Sequence, residues 1–152
     1  MSSFSEPSRG KIVVGVDGSP SSQQALRWAA RQARLTGEEL HAVAAWDYPS
    51  GVGWGAVGLE DIDWSGNAGK ALDEAITASL HPDEADRVQR SVVQGYPARV
   101  LLDAAADADL LVVGSRGRGG MVGMLLGSVS QHVVTHARCP VVVVHGEPSA
   151  PA

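Results

Sequence analysis

Five short aliphatic runs, at 11–17, 39–46, 87–95, 109–114 and 139–146, are separated by segments whose apolar residues recur every three to four positions. That alternation restricts the fold more than any other feature of the chain. Strands that alternate with helices build βαβ units, and βαβ units build a parallel sheet with helices on both faces. The expected fold class is therefore α/β: a three-layer, doubly wound sheet of five parallel strands. The run "DLLVVG" (109–114) is wholly apolar and belongs inside the sheet, whereas "RVQRSVVQG" (87–95) alternates and belongs nearer an edge.

The helical segments carry their own stops. In "GSPSSQQALRWAARQARLTG", Ser19 is placed to cap, Pro20 to occupy the first helical position and Gly37 to end the helix. Ala25, Leu26, Ala29 and Ala33 line its inner face. A second helix is expected within 68–80, with Leu72, Ala75, Ile76 and Leu80 inward and His81-Pro82 ending it. A third starts at Pro97, and a last one carries Val129, Val133 and Val134 inward. Segment 47–67, rich in Gly and containing Trp54 and Trp64, has neither period; it reads equally as a loose connection or as a lid over a site.

Composition narrows the function classes. The 152 residues suit one domain, and 44% hydrophobic with 19% charged residues suits a globular one. A formal charge of −5 without any basic face argues against nucleic acid. No apolar stretch approaches the roughly 18 residues that span a bilayer, and the polar start "MSSFSEPSRGK" lacks the core of a signal peptide. The expected address is the cytoplasm, with no membrane partner. Cys139 is the single cysteine, so no internal disulfide is available; before Pro140 it reads as a small hydrophobe rather than a redox switch.

The chemistry concentrates in "GSRGRGGMVGMLLGSVS" (114–130), directly after the fourth apolar run. Neither standard phosphate-loop signature is present. No lysine lies in the loop, and Val122 stands where G-x-G-x-x-G needs its third glycine. Yet Gly114 and Gly117 permit close approach of backbone to an anion. Gly127 opens the last helix, so the N–H groups of Ser128, Val129 and Ser130 point at whatever lies before it. The hydroxyls of Ser128 and Ser130 can add donors, and Arg116 and Arg118 add positive charge. In doubly wound sheets ligands lie where the strand order reverses. If the first and fourth strands are neighbours, "GVDGS" (15–19) faces this loop and Asp17 joins the site. A glycine-rich turn can also be only a tight connection, but the register with Asp17 and with the helix start favours an anion site.

These residues resemble a known family. "VVGVDGSPSSQQALRWAA", the spacing G-x2-G-x9-G-S at Gly114, Gly117, Gly127 and Ser128, and "SVSQHVVTHARCPVVVV" are similar to the universal stress proteins, and to their ATP-binding branch in particular. The resemblance covers 11–145, leaving 1–10 and 146–152 as expected disordered tails. It implies a Rossmann-like sheet of the adenine nucleotide α-hydrolase type, ATP as cofactor, with Mg near Asp17 an open option, and a regulatory role in the stress response. It places Asp17 and the main chain of Gly15 and Val43 around adenine and ribose, Val113 beside the nucleoside, and Gly114, Ser115, Arg116, Gly117, Arg118, Gly127, Ser128, Val129 and Ser130 around the phosphates. AMP or cyclic AMP on the same pocket and slow hydrolysis stay open. No P-loop lysine and no acid in the loop serve phosphoryl transfer, so no catalytic residue is assigned.

Two further features complete the reading. His132 and His136 lie four apart on the last helix, a spacing that suits one metal but more often marks paired surface histidines. "PVVVVHG" puts four valines on what the common strand order makes an edge, an open pairing template without Lys or Glu. Family members pair through this strand, so the resemblance implies a homodimer joined along Val141, Val142, Val143 and Val144.

Overall fold

The computed structural model describes residues 10–48, 62–117 and 126–146. Its strands are β1 (Lys11–Gly15), β2 (Glu39–Trp46), β3 (Gln89–Gln94), β4 (Leu110–Gly114) and β5 (Val141–Val144). They pair in the order β3-β2-β1-β4-β5, all parallel, with Ile12 opposite both Leu40 and Leu110. β4 is interior and the alternating β3 is an edge, as the run compositions require.

The helices are α1 (Pro20–Thr36), α2 (Trp64–Ser79), α3 (Pro82–Arg87), α4 (Pro97–Ala104) and α5 (Ser128–His136). α1 and α2 cover one face of the sheet, α4 and α5 the other. The period-2 geometry of β1 divides the core between them: Ile12 and Val14 join Leu26, Leu72 and Ile76 on one side, and Val13 joins Leu101, Leu111 and Val133 on the other. Ile12, Leu26, Leu72, Ile76 and Leu111 are the largest side chains shut wholly from solvent. Each contributes about 1.5–3 kcal/mol by burial.

Local signals act as their chemistry requires in α1. Ser19 caps with its hydroxyl accepting from the Ser22 N–H, and Gly37 closes the helix at φ 78°, its N–H donating to Ala33 O. Elsewhere the structure departs from the expectation. α2 begins at Trp64, because Asp63 caps it by accepting from the Gly66 N–H, so residues 64–67 belong to a helix and not to a connection. α3 was not expected at all; Pro82 sits at its N-terminus, Asp83 and Glu84 in its first turn and Arg87 in its last. Val134 points outward, 47% exposed, while Val133 fills the inner position. The remainder of 47–67 between Tyr48 and Ile62, including Trp54, lies outside the described residues, as do 1–9, 118–125 with Arg118, and 147–152.

Candidate functional site

β2 lies on one side of β1 and β4 on the other, so the crossovers diverge at the carboxyl ends of β1 and β4. There a cleft of about 530 Å³ opens, within the usual size range of small-molecule sites. Gly15, Asp17, Val43, Val113, Gly114, Arg116, Gly117, Gly127, Ser128, Val129 and Ser130 all line it. Segments more than 100 residues apart in the chain are thus brought to one opening by a single strand pairing, β1 with β4.

The turn after β1 is held by its own side chains. Asp17 Oδ1 accepts from the Ser19 N–H at 2.9 Å and from the Ser19 hydroxyl, while the Asp17 N–H donates to Ser22 Oγ at 3.3 Å. The other carboxylate oxygen faces Gly117, where a Cβ would stand 3.0 Å from Asp17 Oδ2. Asp17 is exposed and is the only carboxylate lining the cleft among the described residues.

Gly114 has a packing reason the sequence did not reveal. A Cβ there would lie 2.5 Å from Ser21 Oγ, 2.7 Å from the Ser21 carbonyl carbon and 2.8 Å from Ser22 N. The bare backbone lets the first turn of α1 press against the end of β4. None of Gly114, Gly117 and Gly127 has positive φ, so close approach, not a left-handed backbone, is what these positions require.

The far wall is the start of α5. Gly127 caps it without any side-chain bond, at φ −73° and ψ 171°. The first helical bond runs from the Gln131 N–H to Gly127 O. The N–H groups of Ser128, Val129 and Ser130 have no backbone acceptor among the described residues, and their residues border the cleft. Such unpaired donors at the positive end of a helix dipole favour an anion. The two serines behave differently. Ser130 is buried, and its hydroxyl donates to Ser115 O at 3.1 Å and Gly127 O at 3.0 Å. Its one proton is therefore engaged, contrary to the expectation that it adds a donor. Ser128 Oγ has no partner among the described residues and keeps that capacity.

A model described as the universal stress protein family matches residues 8–145. The chain belongs to the universal stress protein family. A universal stress protein of Mycobacterium tuberculosis is 42% identical over 143 residues, which cover 91% of this chain and 46% of that protein. The chain thus spans about half the length of the curated relatives it matches. Among solved structures, a universal stress protein in complex with cAMP is 29% identical at a TM-score of 0.63, over 90% of this chain and 96% of the other. A universal stress protein from Archaeoglobus fulgidus in complex with dAMP is 26% identical at a TM-score of 0.61, over 89% and 97%.

Within this universal stress protein, Ser115 is the one described candidate that does not line the cleft. It lies beneath it: its carbonyl accepts from the Gly127 N–H at 2.7 Å and from Ser130 Oγ, and its N–H donates to Val144 O at 2.9 Å. Ser115 closes the base of the loop. The cleft is also lined by the apolar Ala45, Pro97, Leu101 and Leu126 and by Gln131, none of which the sequence reading assigned to it. The only signal was Pro97 at a helix start, which reads as a structural cap.

The histidines and the cysteine lie apart from this chemistry. The rings of His132 and His136 stack with centroids 4.4 Å apart, and His136 Nδ1 bonds His132 O at 3.0 Å. Among the described residues no group of three His, Cys, Asp or Glu is gathered to hold a metal. Cys139 is half-buried, and burial pushes its thiol above the usual range, which disfavours a reactive thiolate. No helix among the described residues is long and apolar enough to cross a membrane.

Proposed function

We propose that residues 11–145 form a module that binds an adenine nucleotide, ATP foremost, in the β1–β4 cleft. Loaded and empty forms would differ in assembly or partner binding, which makes the module a nucleotide-dependent regulator of the stress response. The carrying observation is the first turn of α5. Its N–H groups, which have no acceptor among the described residues, and the Ser128 hydroxyl open onto the same cleft as Asp17. Similar proteins solved with cAMP and dAMP support an adenine nucleotide as the ligand class.

In this reading Asp17 takes the ribose hydroxyls, the Gly15 and Val43 main chain meets adenine, and Val113 flanks the nucleoside. The Val43 carbonyl already accepts from the Val16 N–H at 2.9 Å and has a second lone pair for an exocyclic amine. Phosphates lie over Gly117 and Gly127, with Arg116 beside them; the expected contribution of Arg118 falls outside the described residues. Asp17 Oδ1 is tied to Ser19, which leaves Oδ2 for the ribose hydroxyls or, as the alternative use, for a magnesium ion carried by ATP. A lone carboxylate and the lack of a cleft lysine among the described residues fit slow hydrolysis at most. Titration of the purified protein with ATP tests the proposal, and the absence of saturable binding would refute it.

The cAMP and dAMP complexes favour a second reading, in which a monophosphate is the preferred ligand of the same cleft. Competition of AMP and cyclic AMP against labelled ATP separates the two.

A homodimer through β5 belongs to the same proposal. β5 is an edge, and the Leu111 and Ser115 N–H groups donate to Pro140 O and Val144 O. Peptide groups alternate sides along a strand, so those of Val141 and Val143 face away from β4, towards a second copy. The side chains are not free, however: Val142 and Val144 pack beneath α1, and Val141 and Val143 beneath α4 and α5.

A further inference from the structure

We propose that Ser21 is a positioning residue for the anion-binding loop, holding the Arg116 peptide so that Gly117 faces the cleft before any ligand arrives. The inference rests on the adenine-nucleotide reading above. Ser21 lies in the first turn of α1, 6% exposed, where a serine ordinarily serves its own helix. Here its hydroxyl does something else. It donates to Arg116 O and accepts from the Arg116 N–H at 3.2 Å. One side chain thus satisfies both backbone groups of a residue 95 positions away, which a hydroxyl can do because it carries one donor and two acceptor sites.

Ser19 Oγ also approaches Arg116 O, at 3.2 Å, but its single proton has a nearer acceptor in Asp17 Oδ1. Arg116 O is therefore left to Ser21. The contact is tight because Gly114 carries no side chain between the two segments. The next residue, Gly117, touches both sides of the cleft: a Cβ on it would reach Asp17 Oδ2, and its N–H stands 3.4 Å from where a Gly127 Cβ would be. Order therefore passes from α1 through the Ser21 hydroxyl to Gly117 and the start of α5. Ser21 does not itself line the cleft.

Without the hydroxyl, the Arg116 N–H loses its partner and Arg116 O keeps only the longer Ser19 contact, so the loop samples other geometries. Affinity then falls in proportion to the competent fraction. For a phosphate-bearing ligand the loss is about 5- to 30-fold; for adenosine, which does not use the loop, it is nil. The test compares wild type and Ser21→Ala by amide exchange without ligand, and by titration with ATP and with adenosine. The expected result is an Arg116 amide protected in wild type and exchanging about 5- to 30-fold faster in the variant, with weakened ATP and unchanged adenosine binding. An unprotected Arg116 amide in wild type overturns the proposal. So does an equal loss for both ligands, which marks general damage, or an unchanged ATP affinity. Wild-type protein that binds neither ligand refutes the nucleotide reading instead, and amide exchange then decides alone whether Ser21 holds the loop.

Discussion

Replacing Gly114 by alanine separates packing from ligand binding at the most crowded glycine of the cleft. The new Cβ would lie 2.7 Å from the Ser21 carbonyl carbon and 2.8 Å from Ser22 N, both backbone atoms that cannot rotate away. Either α1 must retreat or the end of β4 must bend. Overpacking of this kind costs about 1–3 kcal/mol, and disturbing the Ser21–Arg116 bonds adds about 1 kcal/mol. Reduced freedom of the unfolded chain offsets about 0.4–1 kcal/mol. The expected net loss is about 1–3.6 kcal/mol, or about 2–4 °C in Tm for each kcal/mol. Urea unfolding followed by tryptophan fluorescence, in nucleotide-free protein, reads it directly. If the glycine served only ligand approach, the empty variant would match or exceed wild type in stability, and the packing explanation would be wrong.

Other substitutions probe single features. Gly37→Ala has open space for its methyl but sits at φ 78°, so it should cost about 1 kcal/mol through backbone strain alone and leave ATP affinity unchanged in a parallel titration. Gly117→Asp puts a second carboxylate against Asp17 Oδ2; calorimetric titration should register no ATP binding, and retained affinity would remove the loop from the site. Val143→Pro deletes an N–H that faces the open edge of β5 while sparing the bonds to β4. Light scattering should find wild type dimeric and this variant monomeric at tens of micromolar, and a monomeric wild type ends the dimer proposal.

Much of this architecture was legible because its causes are local. Pro20 and Gly37 bound α1 through their own backbone preferences, and the β-branched runs gave both the strands and the interior place of β4. The α3 helix was not legible: six residues are too few to display a 3.6 period, and Pro82 reads as a stop until Asp83, Glu84 and Arg87 are seen to suit a dipole. The start of α2 was hidden because Gly66 and Asn67 look like loop residues, and only the Asp63 cap reveals the first turn. In the site, glycines and charged residues stood out by residue type, including Asp17, Gly117 and Gly127. Ser21, Pro97 and Leu101 did not, since each acquires its role from a partner distant in sequence; Ser115 was singled out for the phosphates, and its place beneath the cleft needed the tertiary structure. Gly114 was singled out for ligand approach, and its contact with α1 needed the tertiary structure.

The pairing of β1 with β4 has a consequence for the order in which the molecule can form. β1, α1, β2, α2 and β3 join sequence neighbours, whereas Ile12 meets Leu110 only after nearly a hundred intervening residues have been arranged. Closing so long a segment is slow relative to local pairing. Until it closes, Asp17 has no Gly117 opposite it and α5 has no cleft to face. A nucleotide bound as proposed would therefore have nothing to grip in a half-assembled chain, and its stabilisation would accrue to the finished state alone. Its kinetic signature is a slower rate of unfolding, with the rate of folding left as it was.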